Sequence, residues 1–244
     1  MRVFIPKDPI TKEITNTNFF IAYEGFQKMG WEICFYEKFP PDNLMRSDVV
    51  VGYIDRVQYS LKNLGIEIPK EIDYPEELKP FFKREIWTST INKVNLDFTN
   101  TQKPIFVKPV RGKMFDGRLI ESLKDFIGIG SRENFDVWCS TPKNIVAESR
   151  CFVRYNQIMD NRQYKGDPFK VVSEQFAKDC LETFESKPDA FAMDFGVTDT
   201  GEEVLIEVND SYSLGAYGLF PTNYAKMISA RWHQLVDLPD PCQF

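Results

Sequence analysis

Asp194, Glu207 and Asn209 are the side chains whose types and spacing could do chemistry in residues 189–219. Two carboxylates and a carboxamide are hard oxygen donors of the kind that hold Mg²⁺ together with phosphates and water. They converge only if the elements beneath them bring them together. Residues 190–197 alternate, with Phe191, Met193, Phe195 and Val197 in one set and Ala192, Asp194 and Gly196 in the other, the period of a strand. Thr198-Asp-Thr-Gly-Glu supplies turn chemistry, and Val204, Ile206 and Val208 then alternate with Leu205, Glu207 and Asn209. A hairpin in which Val197 faces Val204 places Asp194 opposite Glu207. Facing Cβ atoms lie about 4.5–5.5 Å apart, so a cation between the acids would relieve their repulsion. A slip of one residue would separate the acids, and a solvated polar face on an amphipathic hairpin has the same spacing.

A second cluster is cationic. Lys103, Lys108, Arg111, Lys113 and Arg118 share residues 103–118 with one acid, Asp116, and with Gly112 and Gly117. In an acidic chain such a run suits an anionic ligand; a solvated charge run and an RNA-contacting patch remain the alternatives. Glu148 and Arg150 alternate onto one face of a predicted strand with Phe152, and an ion pair on an exposed sheet face is the plain alternative. Phe135 to Ser140, with Trp138 and Cys139, reads as an aromatic strand that could offer an adenine ring a face and backbone groups, or be core.

Phe191-Ala-Met-Asp-Phe-Gly-Val, Leu205-Ile-Glu-Val-Asn and Ser213-Leu-Gly-Ala-Tyr-Gly resemble the C-terminal half of an ATP-grasp domain. Within that superfamily the chain is most similar to the phage and bacterial clade named for one arginine and two lysines. The resemblance implies that Asp194, Glu207 and Asn209 hold the Mg²⁺ of MgATP. By the same resemblance Lys108 in Val-Lys-Pro is the first phosphate lysine and Lys113 the second. Glu148-Ser-Arg150 is the E-x-R motif, and Trp138 and Cys139 sit at the adenine-binding hinge. Catalytic roles fall on Arg150 and Lys113. The implied fold is α/β (α+β): an ATP-grasp domain of two antiparallel lobes over 81–244, preceded by a small α/β domain over 1–75. The implied reaction is ATP-dependent carboxylate–amine ligation through an acyl phosphate, with small-molecule or peptide carboxylate and amine substrates, amino acids and peptides being the expected classes. A kinase acting on a hydroxyl and a nucleotide-binding module without turnover stay open. Many such ligases carry an arginine two residues before the Asp; here that residue is Ala192, and Arg150 is the candidate replacement. Tyr212, Ser213, Gly215 and Gly218 either shape an acceptor pocket or form a structural loop.

The supporting elements follow from pattern. Arg2–Ile5 and 31–36 read as strands, and Asp48-Val-Val-Val as a short buried one. Phe19, Tyr23, Phe26 and Met29 mark a helix capped by Asn16 or Thr17 and ended at Gly30, and Ile54 to Leu64 another ended at Gly65. Strands alternating with helices predict a small parallel sheet. Residues 74–80 suit a linker, and 81–94 a helix. Residues 105–108 form an apolar strand, 155–161 carry a turn and 162–166 a return strand. Asp167-Pro-Phe is expected to open a helix whose stripe is Phe169, Val172, Phe176, Cys180 and Phe184, and a last helix runs from Pro221 to Leu235. Forty-three per cent hydrophobic and 27% charged residues describe a globular chain. No Walker phosphate loop occurs. A net charge of −6 argues against duplex nucleic acid as partner, and the lack of a long apolar run argues against a membrane and for a cytoplasmic protein. Five scattered cysteines without a C-x-x-C pair predict free thiols, and the single histidine, His233, is expected on the surface of the last helix.

Overall fold

The computed structural model describes residues 1–111, 114–129 and 133–243. Its contacts divide the chain into two compact units, one of Met1–Phe81 with Val146–Phe244 and one of Phe82–Ile145. The first unit therefore joins the expected N-terminal domain to the C-terminal half of the chain. The division at 75–81 stands as a proposal about modules, not about compact bodies.

In the first unit, β1 (Arg2–Pro6), α1 (Thr17–Lys28), β2 (Glu32–Tyr36), β3 (Val49–Val50) and α2 (Ile54–Asn63) build a parallel sheet of order β2-β1-β3. The Asn16 side chain caps α1 by accepting from the Asn18 and Phe19 amides, and Gly30 ends the turn beyond it at φ 77°. Residues 73–78 are docked, not loose. The Val208 amide bonds the Asp73 carbonyl at 3.0 Å, and Leu78 is fully buried.

The second unit follows α3 (Lys79–Phe82) and contains β4 (Ile86–Thr90), α4 (Ile91–Thr101), β5 (Ile105–Pro109), β6 (Arg118–Ile120) and β7 (Asp136–Ser140). Its sheet is antiparallel with order β4-β7-β5-β6. The helix expected over 81–94 is interrupted here. Thr88, Ser89 and Thr90 favour an extended chain, β4 pairs with β7, and the Thr90 hydroxyl caps α4.

The chain then returns to the first unit as β8 (Ile145–Arg154), β9 (Gln157–Gly166), α5 (Glu174–Thr183), β10 (Ala190–Thr198), β11 (Glu203–Asp210) and α6 (Pro221–Leu235), with sheet order β11-β10-β8-β9. Tyr155 and Asn156 join β8 to β9, both at positive φ as a two-residue hairpin turn requires. α5 starts later than expected. Asp167 caps only a local turn at the Phe169 amide, Ser173 is the helix cap, and Phe169 is 93% exposed instead of core. His233 also departs from expectation. It is buried, because α6 is enclosed by the N-terminal sheet, α1 and β10. Gly25 permits that packing: a Cβ there would stand 2.1 Å from the Pro221 carbonyl oxygen. All five cysteines are free thiols. Among the described residues no helix is long and apolar enough to cross a membrane.

Candidate functional site

Asp194 faces Glu207 across the β10–β11 hairpin, although the pairing that led to this expectation is not the one observed. Val197 faces Glu203, one residue off the assumed partner, and Phe195 faces Leu205. A bulge between Asp194 and Phe195 takes up the difference and brings the two acids back opposite each other. Asn209 follows on the same face. Its Nδ2 donates to Asp194 Oδ2 at 3.2 Å and to Glu207 Oε1 at 3.3 Å, so an amide donor bridges the two carboxylates and its own oxygen is left for other partners.

Asp194 has a stronger partner than either. From β8, Arg150 donates Nε to Asp194 Oδ1 at 2.7 Å and Nη2 to Oδ2 at 2.6 Å, a bidentate pair with side chains 7% and 4% exposed. Burial pushes the Asp194 carboxyl upward and the Arg150 bonds oppose that rise, with Glu207 and Glu148 adding to it. Burial also works against the charge on Arg150, but the bonds to Asp194 outweigh it and the guanidinium is held above its ordinary value. The pair is ionised, since both carboxylate oxygens accept short hydrogen bonds from donors that do not release their protons.

Around this pair stand Tyr164, Lys165 and Tyr217, which spacing along the chain does not single out, together with Gly215 and Glu148. Arg150 Nη1 donates to the Gly215 carbonyl at 3.3 Å, and the guanidinium lies over the Tyr217 ring at 4.6 Å. Tyr217 stacks on Tyr164 of β9, with centroids 4.5 Å apart and planes at 17°. The Tyr164 hydroxyl bonds Glu148, and burial drives its pKa far up. Glu148 itself accepts from Lys165 Nζ at 2.5 Å, so the expected ion pair of Glu148 exists but with Lys165 and not with Arg150. Tyr217 and Gly218 both have positive φ, in the loop that follows β11. Tyr212 and Ser213 serve as loop anchors: Gln58 donates to the Tyr212 hydroxyl and Ser213 donates to the Gly52 carbonyl at 2.9 Å.

In the second unit Lys108 of β5 lies directly across from Trp138 of β7, and Thr88 of β4 faces Trp138 from the other side, so the three share one sheet face. An open cleft of about 440 Å³ continues this face, lined by Thr88, Thr90, Val110 and Asp136 among others. Cys139 points the opposite way. It is 1% exposed in the core with Val107 and Val137, and burial pushes its thiol to about 12. β7 is an interior strand, paired with β4 and β5, so Trp138 and Cys139 do not supply the unpaired backbone edge an adenine would read. That correction removes Cys139 as a ligand group. Arg118 is also spent on structure, donating to the Asp125 and Ile127 carbonyls. Lys113 and Gly112 lie outside the described residues.

A family model described as ATP-grasp domain, R2K clade family 2, matches residues 81–227, which is more than half of the chain. The chain belongs to the ATP-grasp family. Solved structures agree on the ATP-grasp fold. N5-carboxyaminoimidazole synthetase from Staphylococcus aureus is 14% identical with a TM-score of 0.59, over 99% of this chain and 78% of that one. The D-cycloserine synthetase DcsG gives 11% and 0.59, over 95% and 100%. D-alanine–D-alanine ligase from Bacillus anthracis, solved with ATP, gives 13% and 0.55, over 97% and 98%. No curated protein sequence matches the chain.

The donor set of this ATP-grasp chain can be tested against the Mg²⁺ that the family implies. A carboxylate has about four lone-pair sites. Three on Asp194 are occupied, two by Arg150 and one by Asn209, which leaves room for a single further bond. Glu207 and the Asn209 oxygen are half-buried and better placed to give ligands. The set fits a cation that brings most of its own shell as phosphates and water, and it fits poorly as an all-protein cage. Among the described residues no group of three His, Cys, Asp or Glu forms such a cage.

Proposed function

We propose that this ATP-grasp protein is an ADP-forming carboxylate–amine ligase acting on amino acids or peptides. The observation that carries the reading is the facing pair Asp194 and Glu207, bridged by Asn209, on the hairpin that lies beside the Arg150 strand in the sheet. MgATP, when bound, would supply the phosphoryl group that activates the carboxylate as an acyl phosphate. Glu207 and Asn209 would hold the cation, with Asp194 as a third and weaker contact because Arg150 already occupies it. Lys108 would take a phosphate oxygen from the face it shares with Trp138, and Lys113 would be the second lysine. Trp138 would pack against the base. Arg150 acts first as a positioning residue, since three of its five N–H groups bond Asp194 and Gly215. Preorganised charges of this kind carry most of the catalysis of phosphoryl transfer. The named neighbours include a synthetase and an amino-acid ligase, which supports the class and leaves the substrates to experiment.

The test traps the activated carboxylate. The protein is incubated with MgATP, hydroxylamine and pools of amino acids, short peptides and small carboxylates. Hydroxamate equimolar with ADP is expected, and the pool that yields it names the acyl donor. A phosphorylated hydroxyl without hydroxamate would establish a kinase instead, and MgATP binding without ADP from any pool would establish a binding module.

A further inference from the structure

The N-terminal sheet ends on β2, a five-residue strand that pairs with β1 on one side and, among the described residues, with no strand on the other. An open edge of this kind is usually covered or blunted by charge. The pairing with β1 fixes which backbone groups face outward. The Glu32 amide donates to the Met1 carbonyl at 3.0 Å and the Tyr36 carbonyl accepts from the Lys7 amide at 2.7 Å, so Glu32, Cys34 and Tyr36 spend their backbone groups on β1. The alternate residues, Ile33 and Phe35, therefore direct their N–H and C=O groups out of the sheet. Their side chains share the α1 face, where Phe35, 43% exposed, continues into a row with Tyr23 at 6.2 Å and Phe20 a further 6.1 Å along. Cys34 lies between them on the opposite face, and it is the one cysteine of the chain that is not buried.

We infer that a second copy of this chain covers that edge, its β2 antiparallel to the first and related to it by a two-fold axis at Cys34. The strand is complementary to itself in this register. Ile33 faces Phe35 of the second copy and Phe35 faces its Ile33, each pair exchanging both of its backbone hydrogen bonds. An axis moved to Ile33 or to Phe35 would leave one of these outward residues without a partner inside the strand. Glu32 faces Tyr36, so no facing pair sets like charges opposite each other. Cys34 faces its own copy as a non-hydrogen-bonded pair, with Cα atoms about 4.5 Å apart, inside the range a disulfide spans. The aromatic row lies along the seam, where Ile33 of the second copy packs against the exposed Phe35 ring. Two three-stranded sheets become one continuous sheet. The seam is across the sheet from β3, and the chain just beyond β3 anchors Ser213 at Gly52, so pairing leaves that side of the unit open. The inference is independent of the ligase reading.

Sedimentation velocity of the full chain should show a dimer. Diamide, which takes up the two protons and two electrons released by a pair of thiols, should link two copies through Cys34, because the other four cysteines are buried. Thiols held in one dimer react at an effective concentration on the order of millimolar, so at about 10 μM protein the link should form on the order of a hundredfold faster than by collision. Phe35→Pro tests the backbone bonds. The proline removes an N–H that faces the second copy and none that bonds β1, and proline is accepted at such edge positions. This variant keeps Cys34, yet it should sediment as a monomer and link at the collisional rate, with an unchanged far-UV spectrum. Cys34→Lys sets two like charges opposite each other at the axis and should also be monomeric, whereas Cys34→Ser should stay dimeric and fail to link. A monomeric wild type overturns the inference, as does a dimer that survives Phe35→Pro or Cys34→Lys, or linking of Phe35→Pro at the wild-type rate.

Discussion

Replacing Arg150 by Met should destabilise the first unit by about 3–5 kcal/mol at neutral pH, the cost of breaking a buried pair by removing one partner. The structure supports the full figure. Both side chains are buried, at 7% and 4% exposure, so water does not screen their attraction. Asp194 would keep only the weak Asn209 bond while remaining buried beside Glu207. Replacing both partners by apolar residues, Arg150→Met with Asp194→Leu, removes the orphaned charge and should recover at least about half of the loss. The pH dependence gives a second check. Burial, Glu207 and Glu148 all push the Asp194 carboxyl up, and Arg150 is the group that opposes them. In Arg150→Met the folded carboxyl therefore rises further above its unfolded value of about 3.9. A raised folded pKa gives stability that is present below the unfolded pKa and lost as pH rises through the folded one. The deficit of the variant relative to wild type should accordingly shrink on going from pH 7.5 to pH 5.

Urea unfolding followed by tryptophan fluorescence at both pH values measures this, with Trp31 and Trp232 buried in the first unit as reporters. A loss below about 1 kcal/mol would refute the reasoning, since that is the range of an exposed pair. So would a deficit independent of pH, or a double variant no more stable than the single one.

Three further outcomes are expected. Glu207→Gln should abolish the Mg²⁺-dependent tightening of ATP binding while leaving the far-UV spectrum unchanged, and equal MgATP affinity by calorimetry would remove Glu207 from the cation shell. Lys108→Ala should weaken ATP by about 1.5–3 kcal/mol, the worth of a hydrogen bond to a charged group, and weaken adenosine far less; a proportional loss of both would mark Lys108 as structural. Gly25→Ala should destabilise the first unit by about 1–3 kcal/mol through overpacking, because its Cβ would stand 2.1 Å from the Pro221 oxygen, and an unchanged urea midpoint would count against that contact.

Local pattern carried much of this structure. Helices α1, α2 and α6 and strands β1, β2, β5, β7 and β10 follow from apolar spacing, caps and glycines within a few residues. Pattern failed where a distant partner decided the outcome. Residues 86–90 have enough apolar spacing around them for a helix, but β7 recruits them as an edge strand. Phe169 fits the helical stripe of α5 by spacing and is exposed because the helix begins at Ser173. The Arg150–Asp194 pair joins β8 to β10, strands that are neighbours only through the sheet order β11-β10-β8-β9, and spacing along the chain does not encode that order. Tyr164 and Tyr217 are 53 residues apart in sequence and meet for the same reason.

The absence of an arginine at position 192 has a structural reason on the same hairpin. Ala192 is fully buried and packs in the core with Phe152, Leu214 and Ala216, so a longer side chain there would displace packed apolar groups. It also lies directly across from Asn209, on the side of β10 that carries Asp194. A guanidinium can reach Asp194 from the next strand without entering that core, and Arg150 does so. The bulge between Asp194 and Phe195 shifts the register by one residue at this point, which keeps Asp194 opposite Glu207 although the turn-side half of the hairpin is paired one residue out of step. The extra residue is Ile206 of β11, between the partners of Phe195 and Asp194; pairing continued in the turn-side register without the bulge would set Asp194 opposite Ile206 and turn Glu207 to the other face. Placement of the acids thus depends on that irregularity as much as on the alternation that first exposed them.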